Sequence, residues 1–177
     1  RDRLDEDVVY RDYGNIVHAV IEKFNNIYNT GAYPPDAEQQ LLKLGEAEFA
    51  ANNISLDIKA FWWPKFVKTA AWLVETEKNY RSEVKKVYNE VTGSLDFASD
   101  GGKFTITAKA DRIDETIDGH LNVLDYKTGK ARTLKEIITG MAPQLPIEGL
   151  IAEKGGYAGI PAKKVSTLRY WRLGKEE

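Results

Sequence analysis

The chain has 177 residues, 42% hydrophobic and 29% charged, with a formal net charge of -2 and no cysteine. That length and composition fit one globular domain with a proper core, or one domain with a helical appendage. The charge balance argues against a general polyanion binder. The missing thiols exclude disulfides, thiolate zinc sites and iron-sulfur clusters in this chain. With no apolar run long enough for a membrane helix or signal peptide, the expected compartment is the cytoplasm.

The chain begins at Arg1 without Met and carries its one methionine at Met141, so it is expected to be a domain of a longer protein. The first hundred residues hold an acidic excess and the remainder a mild basic one. Residues 1–12 read as a loosely ordered, charged lead-in, and residues 13–177 as a single domain with a helical part over 13–82 and a sheet-containing core over 83–177. From about Tyr13 a helix begins, its stripe being Val17, Val20, Ile21, Phe24, Ile27 and Tyr28. His18 lies off the centre of that stripe, one turn after Gly14. Alone it reads as a boundary residue.

Tyr33-Pro-Pro-Asp36 breaks the chain, and Asp36 is placed to cap a second helix through about Ala51. Ser55–Trp63 reads as a short helical or turn segment, and Pro64 as the first turn of a long helix to about Ser82. Trp62, Trp63, Phe66, Trp72 and Tyr80 have the chemistry to stack on bases. Phe66, Ala70, Leu73 and Glu77 step at helical spacing, however, which favours a core role for most of these aromatics. The period then changes to that of strands. Val84–Val91 and Gly93–Ala98 precede a turn at Ser99-Asp-Gly-Gly102, and Phe104–Ile113 and Leu121–Tyr126 form a hairpin. A short helix over Thr133–Ile138, an interruption at Met141-Ala-Pro143, a helix over Gln144–Glu153 and a strand over Lys164–Arg172 follow. This order predicts an α/β fold, a mixed sheet flanked by helices.

The hairpin carries the chemistry. Asp125 and Lys127 alternate onto one face of its second strand. A two-residue Asp118-Gly119 loop would set Asp125 opposite Arg112. A three-residue loop of Ile117, Asp118 and Gly119 pairs Thr116 with His120 and sets Asp111 opposite Asp125, with Gly119 at the position that needs a left-handed backbone. Two carboxylates so close repel unless a cation lies between them, and hard oxygen ligands favour Mg2+ or Mn2+. An isolated Asp-x-Lys is otherwise an ordinary cross-strand ion-pair pattern.

Gly14-x-x-x-His18, Ala110-Asp111-Arg112-Ile113-Asp114, Val123-Leu-Asp125-Tyr-Lys127-Thr-Gly129 and Gln144 in a helix, in that order, resemble the RecB-like branch of the PD-(D/E)xK nucleases, with their restriction-endonuclease-like core. Phe61-Trp-Trp-Pro-Lys-Phe66, Glu90-Val-Thr-Gly93 and Pro143-Gln-Leu-Pro-Ile-Glu148 extend the resemblance to the C-terminal nuclease domain of AddB, a subunit of bacterial helicase-nucleases of double-strand break repair, in an alphaproteobacterial form. The resemblance implies a metal-dependent deoxyribonuclease, an exonuclease, acting on linear double-stranded ends or single strands beside an AddA-like helicase subunit in the bacterial cytoplasm. It implies His18, Asp111, Asp125 and the Tyr126 carbonyl as ligands of Mg2+ or Mn2+. Lys127 is then the positioner of the attacking water, and Gln144 a partner of Lys127 or of a phosphate oxygen. Glu90, Arg112 and Thr128 become supporting candidates, with Lys130, Arg132, Lys135, Lys163 and Lys164 candidates along the DNA backbone. Two departures stand out. The iron-sulfur staple of many such domains is impossible here without Cys, and Glu148 occupies the Tyr position of a Gln-x-x-x-Tyr motif.

Two other readings compete. The chain is alternatively a non-catalytic nuclease-fold module that guides DNA or docks a helicase subunit. A sugar- or nucleotide-processing hydrolase with paired carboxylates would leave His18 and Lys127 without a role.

Overall fold

The computed structural model describes residues 2–129 and 144–174, with side chains from Arg11 onward. The expected helix over Thr133–Ile138, the interruption at Met141-Ala-Pro143 and the candidate DNA contacts Lys130, Arg132 and Lys135 lie outside the described residues. The elements run α1 (Asp2–Ile27), α2 (Ala37–Ala51), α3 (Leu56–Tyr80), a 3-10 turn (Arg81–Glu83), β1 (Val84–Ser99), β2 (Gly102–Thr116), β3 (Leu121–Lys127), α4 (Gln144–Glu153) and β4 (Val165–Arg172). They form two compact units. One is helical and takes residues 2–82, 126–129 and 172–174; the other holds most of the sheet, in residues 83–125 and 144–171.

In the helical unit, α1 starts at Asp2 where the sequence reading began a helix near Tyr13. No Gly or Pro interrupts residues 2–13. Asp36 stands at the start of α2 as expected, yet its side chain makes no cap bond to the backbone. It accepts instead from Gln40 Nε2 at 2.9 Å. Its backbone, at φ -97 and ψ 21, is not the extended one that aims a capping oxygen at the next N–H groups.

The third helix corrects the sequence reading more deeply. It starts at Leu56, capped by Ser55, whose Oγ accepts from the Ile58 N–H at 3.4 Å, and Pro64 falls inside it. An interior proline costs about 3 kcal/mol. Burial of Trp62 and Phe66 on either side of Pro64 offsets this, because both pack with Phe49 of α2 at ring separations of 6.3 and 6.0 Å. The core role expected of these aromatics holds for Trp62 and Phe66, which are buried, whereas Trp63, Trp72 and Tyr80 are half-buried. Below them, Arg81 is buried and held by Glu77 at 2.5 Å, Asn25 Oδ1 at 2.7 Å and the Tyr28 carbonyl at 2.7 Å. That network ties the end of α3 to the end of α1.

The sheet has the order β1-β2-β3-β4. β1 and β2 pair antiparallel over their full length as one long ribbon, and β2 pairs antiparallel with β3. Beside β3, β4 runs in the same direction: the Leu121 N–H donates to the Lys164 carbonyl at 3.0 Å, and the Leu173 N–H donates to the Lys127 carbonyl at 2.9 Å. A parallel neighbour requires a crossover, in which α4 lies. The mixed α/β sheet architecture is thus the one predicted. Its core gathers Ala110, Ile113, Leu121 and Val123 of the sheet with Leu145, Ile151 and Ala152 of α4 and Tyr157 and Ile160 beyond it. Tyr157 bridges to Gly93 of β1, and a Cβ at Gly93 would fall 2.5 Å from its ring. No described helix is long and apolar enough to cross a membrane.

Candidate active site

The turn between β2 and β3 has the odd length. The Thr116 N–H donates to the His120 carbonyl at 2.9 Å, the Gly119 N–H returns to the Thr116 carbonyl at 3.1 Å, and Gly119 takes φ +88. The ladder continues through Glu115↔Leu121, Asp114↔Asn122, Ile113↔Val123 and Arg112↔Leu124. The paired ladder ends at Arg112↔Leu124, one position before Asp111 and Asp125. Asp118 reinforces the turn: its carboxylate takes the Thr116 hydroxyl and lies 3.2 Å from His120 Nδ1. The Thr116 hydrogen bond, then that of His120, holds the Asp118 carboxyl below the usual range.

The partner strand on the other side adds an acid that the sequence marked only as a supporting candidate. Asn89↔Arg112 and Val91↔Ala110 flank Glu90 and set it opposite Asp111. Oxygens of the Glu90 and Asp111 carboxylates lie within 4.8 Å of each other. Glu90 also takes φ +48, a left-handed backbone that a glutamate rarely adopts. The packing shows what this does. Tyr88 and Ile113 join the same core cluster as Val91 and Ala110, three residues away on their strands. Regular alternation would put those pairs on opposite faces, so the alternation reverses at the Glu90–Asp111 pair. Strain is thereby concentrated where the carboxylates meet.

Asp125 is 2% exposed, and the adjoining Tyr126 is 4% exposed. Tyr126 and Lys127 continue β3 into the helical unit. There His18 of α1 places its Nε2 3.2 Å from the Tyr126 carbonyl oxygen, a hydrogen bond in the Nε2–H tautomer. The Tyr126 ring stands edge-on to His18 with centroids 5.8 Å apart, and its hydroxyl accepts from Asn25 Nδ2 at 3.4 Å. Gly14 explains the close approach of α1: a Cβ there would lie 3.0 Å from Thr128 Oγ1.

Donor chemistry supplies a test of fit for a metal ion. Carboxylate and carbonyl oxygens with one imidazole make a hard donor set suited to Mg2+ or Mn2+. Around an octahedral ion with bonds of about 2.1 Å, neighbouring ligand atoms stand about 3.0 Å apart. Ligation by Nε2 needs the tautomer protonated on Nδ1. Within the sheet unit, the Glu90 and Asp111 carboxylate oxygens, within 4.8 Å of each other, have the donor chemistry of a hard divalent cation.

The remaining predicted residues fall in several places. Gln144 opens α4 and donates from Nε2 to Glu148 Oε1 at 3.0 Å. Because a carboxylate only accepts, the amide nitrogen must face Glu148. Glu148 is fully buried, and Tyr157, also buried, has its hydroxyl pushed to a higher pKa by burial and then by the Glu148 charge. Arg112 is fully buried, lies 2.8 Å from Asp114 and packs under Trp171 at 5.1 Å, so its guanidinium serves the interior of the sheet unit. Lys163 sits 2.8 Å from Glu115, whose carboxyl it holds below the usual range. Lys164 is exposed, and its carbonyl anchors Leu121. Lys109 is the residue that sequence reasoning missed. Its Nζ lies 3.0 Å from Glu90 Oε2, and its place two residues before Asp111 was the available signal.

Comparison with known proteins bears on the family of the chain. Over 157 residues the chain is 30% identical to a protein of Rickettsia bellii described only as uncharacterized, the match covering 89% of this chain and 19% of the relative. Uncharacterized proteins of Rickettsia felis and Rickettsia typhi are each 29% identical over 160 residues, covering 89% of this chain and 19% and 18% of theirs. The chain therefore spans about a fifth of the length of these relatives. The family model of the PD-(D/E)XK nuclease superfamily matches residues 1–177, and the chain belongs to that superfamily.

Proposed function

We propose that this chain is a divalent-metal-dependent DNA nuclease that hydrolyses phosphodiester bonds, working as an exonuclease within a helicase-nuclease complex of double-strand break repair. The observation that supports the reading is the pair of carboxylates of Glu90 and Asp111, whose oxygens lie within 4.8 Å of each other, beside a β2–β3 hairpin of the odd-loop register. Membership of a nuclease superfamily supports phosphodiester chemistry. Relatives about five times longer support the reading that this chain is one part of a larger protein.

In this reading Asp111, Asp125, the Tyr126 carbonyl and His18 hold the cation, and Glu90 supports them. Bound Mg2+ or Mn2+ supplies Lewis-acid polarisation of the scissile phosphate and acidifies a water. Lys127, two residues beyond Asp125 on β3, presents an ammonium that orients the attacking water and stabilises negative charge developing on phosphorus oxygens. Gln144, its amide nitrogen turned to Glu148, has its carbonyl oxygen to offer as an acceptor. Burial of Asp125 keeps bulk water from competing for its oxygens.

The test is degradation of linear DNA with Mg2+ or Mn2+. Asp125→Ala and Lys127→Ala, each with an unchanged circular dichroism spectrum, are expected to lose activity by about a thousandfold or more, as removal of charge-stabilising groups does. Unchanged activity in both variants would favour a guiding or docking module.

A further inference from the structure

Lys109 is bound to the candidate site on its solvent side. Its ammonium lies 3.0 Å from Glu90 Oε2, and the two side chains are 59% and 11% exposed. Glu90 is the residue whose strained backbone brings its carboxylate within 4.8 Å of that of Asp111. A carboxylate gives its charge less fully to a surface ammonium once a divalent ion arrives on its other side, because the two cations repel each other. Beyond Lys109, alternate residues of β2 run Thr107, Thr105 and Lys103, all exposed, while Ala110 is buried and Ala108 and Ile106 pack on the core cluster. Asp96 takes the Thr105 hydroxyl at 2.6 Å, which leaves Thr107 and Lys103 as the groups that prolong the strip from Lys109.

We propose that Lys109 is an exchangeable counter-ion: it holds Glu90 in the metal-free state and is displaced to a DNA backbone phosphate when the cation binds. The inference rests on the metal-dependent nuclease reading and adds a coupling to it, since metal and DNA then strengthen each other's binding through one ammonium. Lys109 is a positioning residue in this scheme. A strand lying along the exposed strip of β2 would meet it immediately before the reacting phosphate reaches Asp111.

The experiment compares the unaltered chain with Lys109→Met in two titrations. Calorimetric titration with Mn2+ alone is expected to show tighter binding in the variant by about tenfold, the scale on which a unit positive charge at this range opposes a divalent ion through partly exposed protein. Fluorescence anisotropy with a short single-stranded DNA, on a Lys127→Ala background to block turnover, is expected to show that Mn2+ raises DNA affinity less in the Lys109→Met protein. The salt slope should be shallower by about 0.7, the value of one phosphate contact on a single strand. Equal Mn2+ affinity and equal salt slopes, with only a lowered melting temperature, would identify a fixed surface ion pair and overturn the inference. Absence of Mn2+ binding to the unaltered chain would remove the metal-dependent reading itself, and this inference with it.

Discussion

Replacing Gly119 isolates the contribution of the β2–β3 turn. Gly119 takes φ +88, and a Cβ built there meets nothing within 4 Å, so a substitution acts through backbone strain alone. For an L-residue the left-handed region costs roughly 1–2 kcal/mol, less for asparagine and more for a β-branched residue. Gly119→Ala is therefore expected to destabilise the fold by about 1 kcal/mol, which for a domain of this size lowers the melting temperature by about 2–4 °C. Gly119→Asn should lose less and Gly119→Val more. Gly101→Ala is the control, since a Cβ there meets only Ser99 Oγ at 3.9 Å and its backbone is not left-handed. Thermal and urea unfolding of the four variants gives the ranking. If alanine, asparagine and valine at position 119 all matched the parent, the turn would not depend on a left-handed residue, and the odd-loop register of β2 against β3 would lose its cause.

Other consequences follow from packing and ionisation. Gly93→Ala places a Cβ 2.5 Å from the Tyr157 ring and 2.8 Å from the Gly156 carbonyl, so urea unfolding should show a loss of about 1–3 kcal/mol from overpacking. Burial pushes Tyr13 up from 10.0 to about 12. Because the folded value is the higher one, its contribution is intact below pH 10 and is lost as pH rises toward about 12. Tyr157 is shifted in the same direction by burial and by Glu148. Tyr13→Phe should flatten the alkaline fall in stability, measured by denaturant unfolding on either side of pH 10; an unchanged pH profile would show that Tyr13 is not the group responsible. Arg112→Met leaves Asp114 buried without its 2.8 Å partner and is expected to destabilise by about 3–5 kcal/mol, read by the same unfolding assay.

Much of the hairpin was legible because its signals are local. Asp118-Gly119 names a turn, the period-2 pattern fixes faces, and the need to bring two acids together selects the loop length that Gly119 permits. The mixed sheet followed from the order of helical and alternating segments. Other features depend on partners distant in sequence. Pro64 is a helix starter by local rule, and only the burial of Trp62 and Phe66 against Phe49 lets α3 run through it. The helical start at Asp2 was obscured by a charged segment with little apolar periodicity. Glu90 carries no sign of a left-handed backbone, since glutamate is not a residue type that favours one, and the reversal of alternation it produces appears only in which residues share a core. His18 looked like a boundary residue from its own helix; its hydrogen bond to the Tyr126 carbonyl joins positions separated by 108 residues.

The central claim is that the hairpin carboxylates hold a divalent cation. Calorimetric titration of the folded chain with Mn2+ tests it most directly. The account predicts saturable binding that disappears in Asp111→Ala and in Asp125→Ala while circular dichroism stays unchanged. Binding of equal strength in the parent and both variants, or none in the parent, would contradict it.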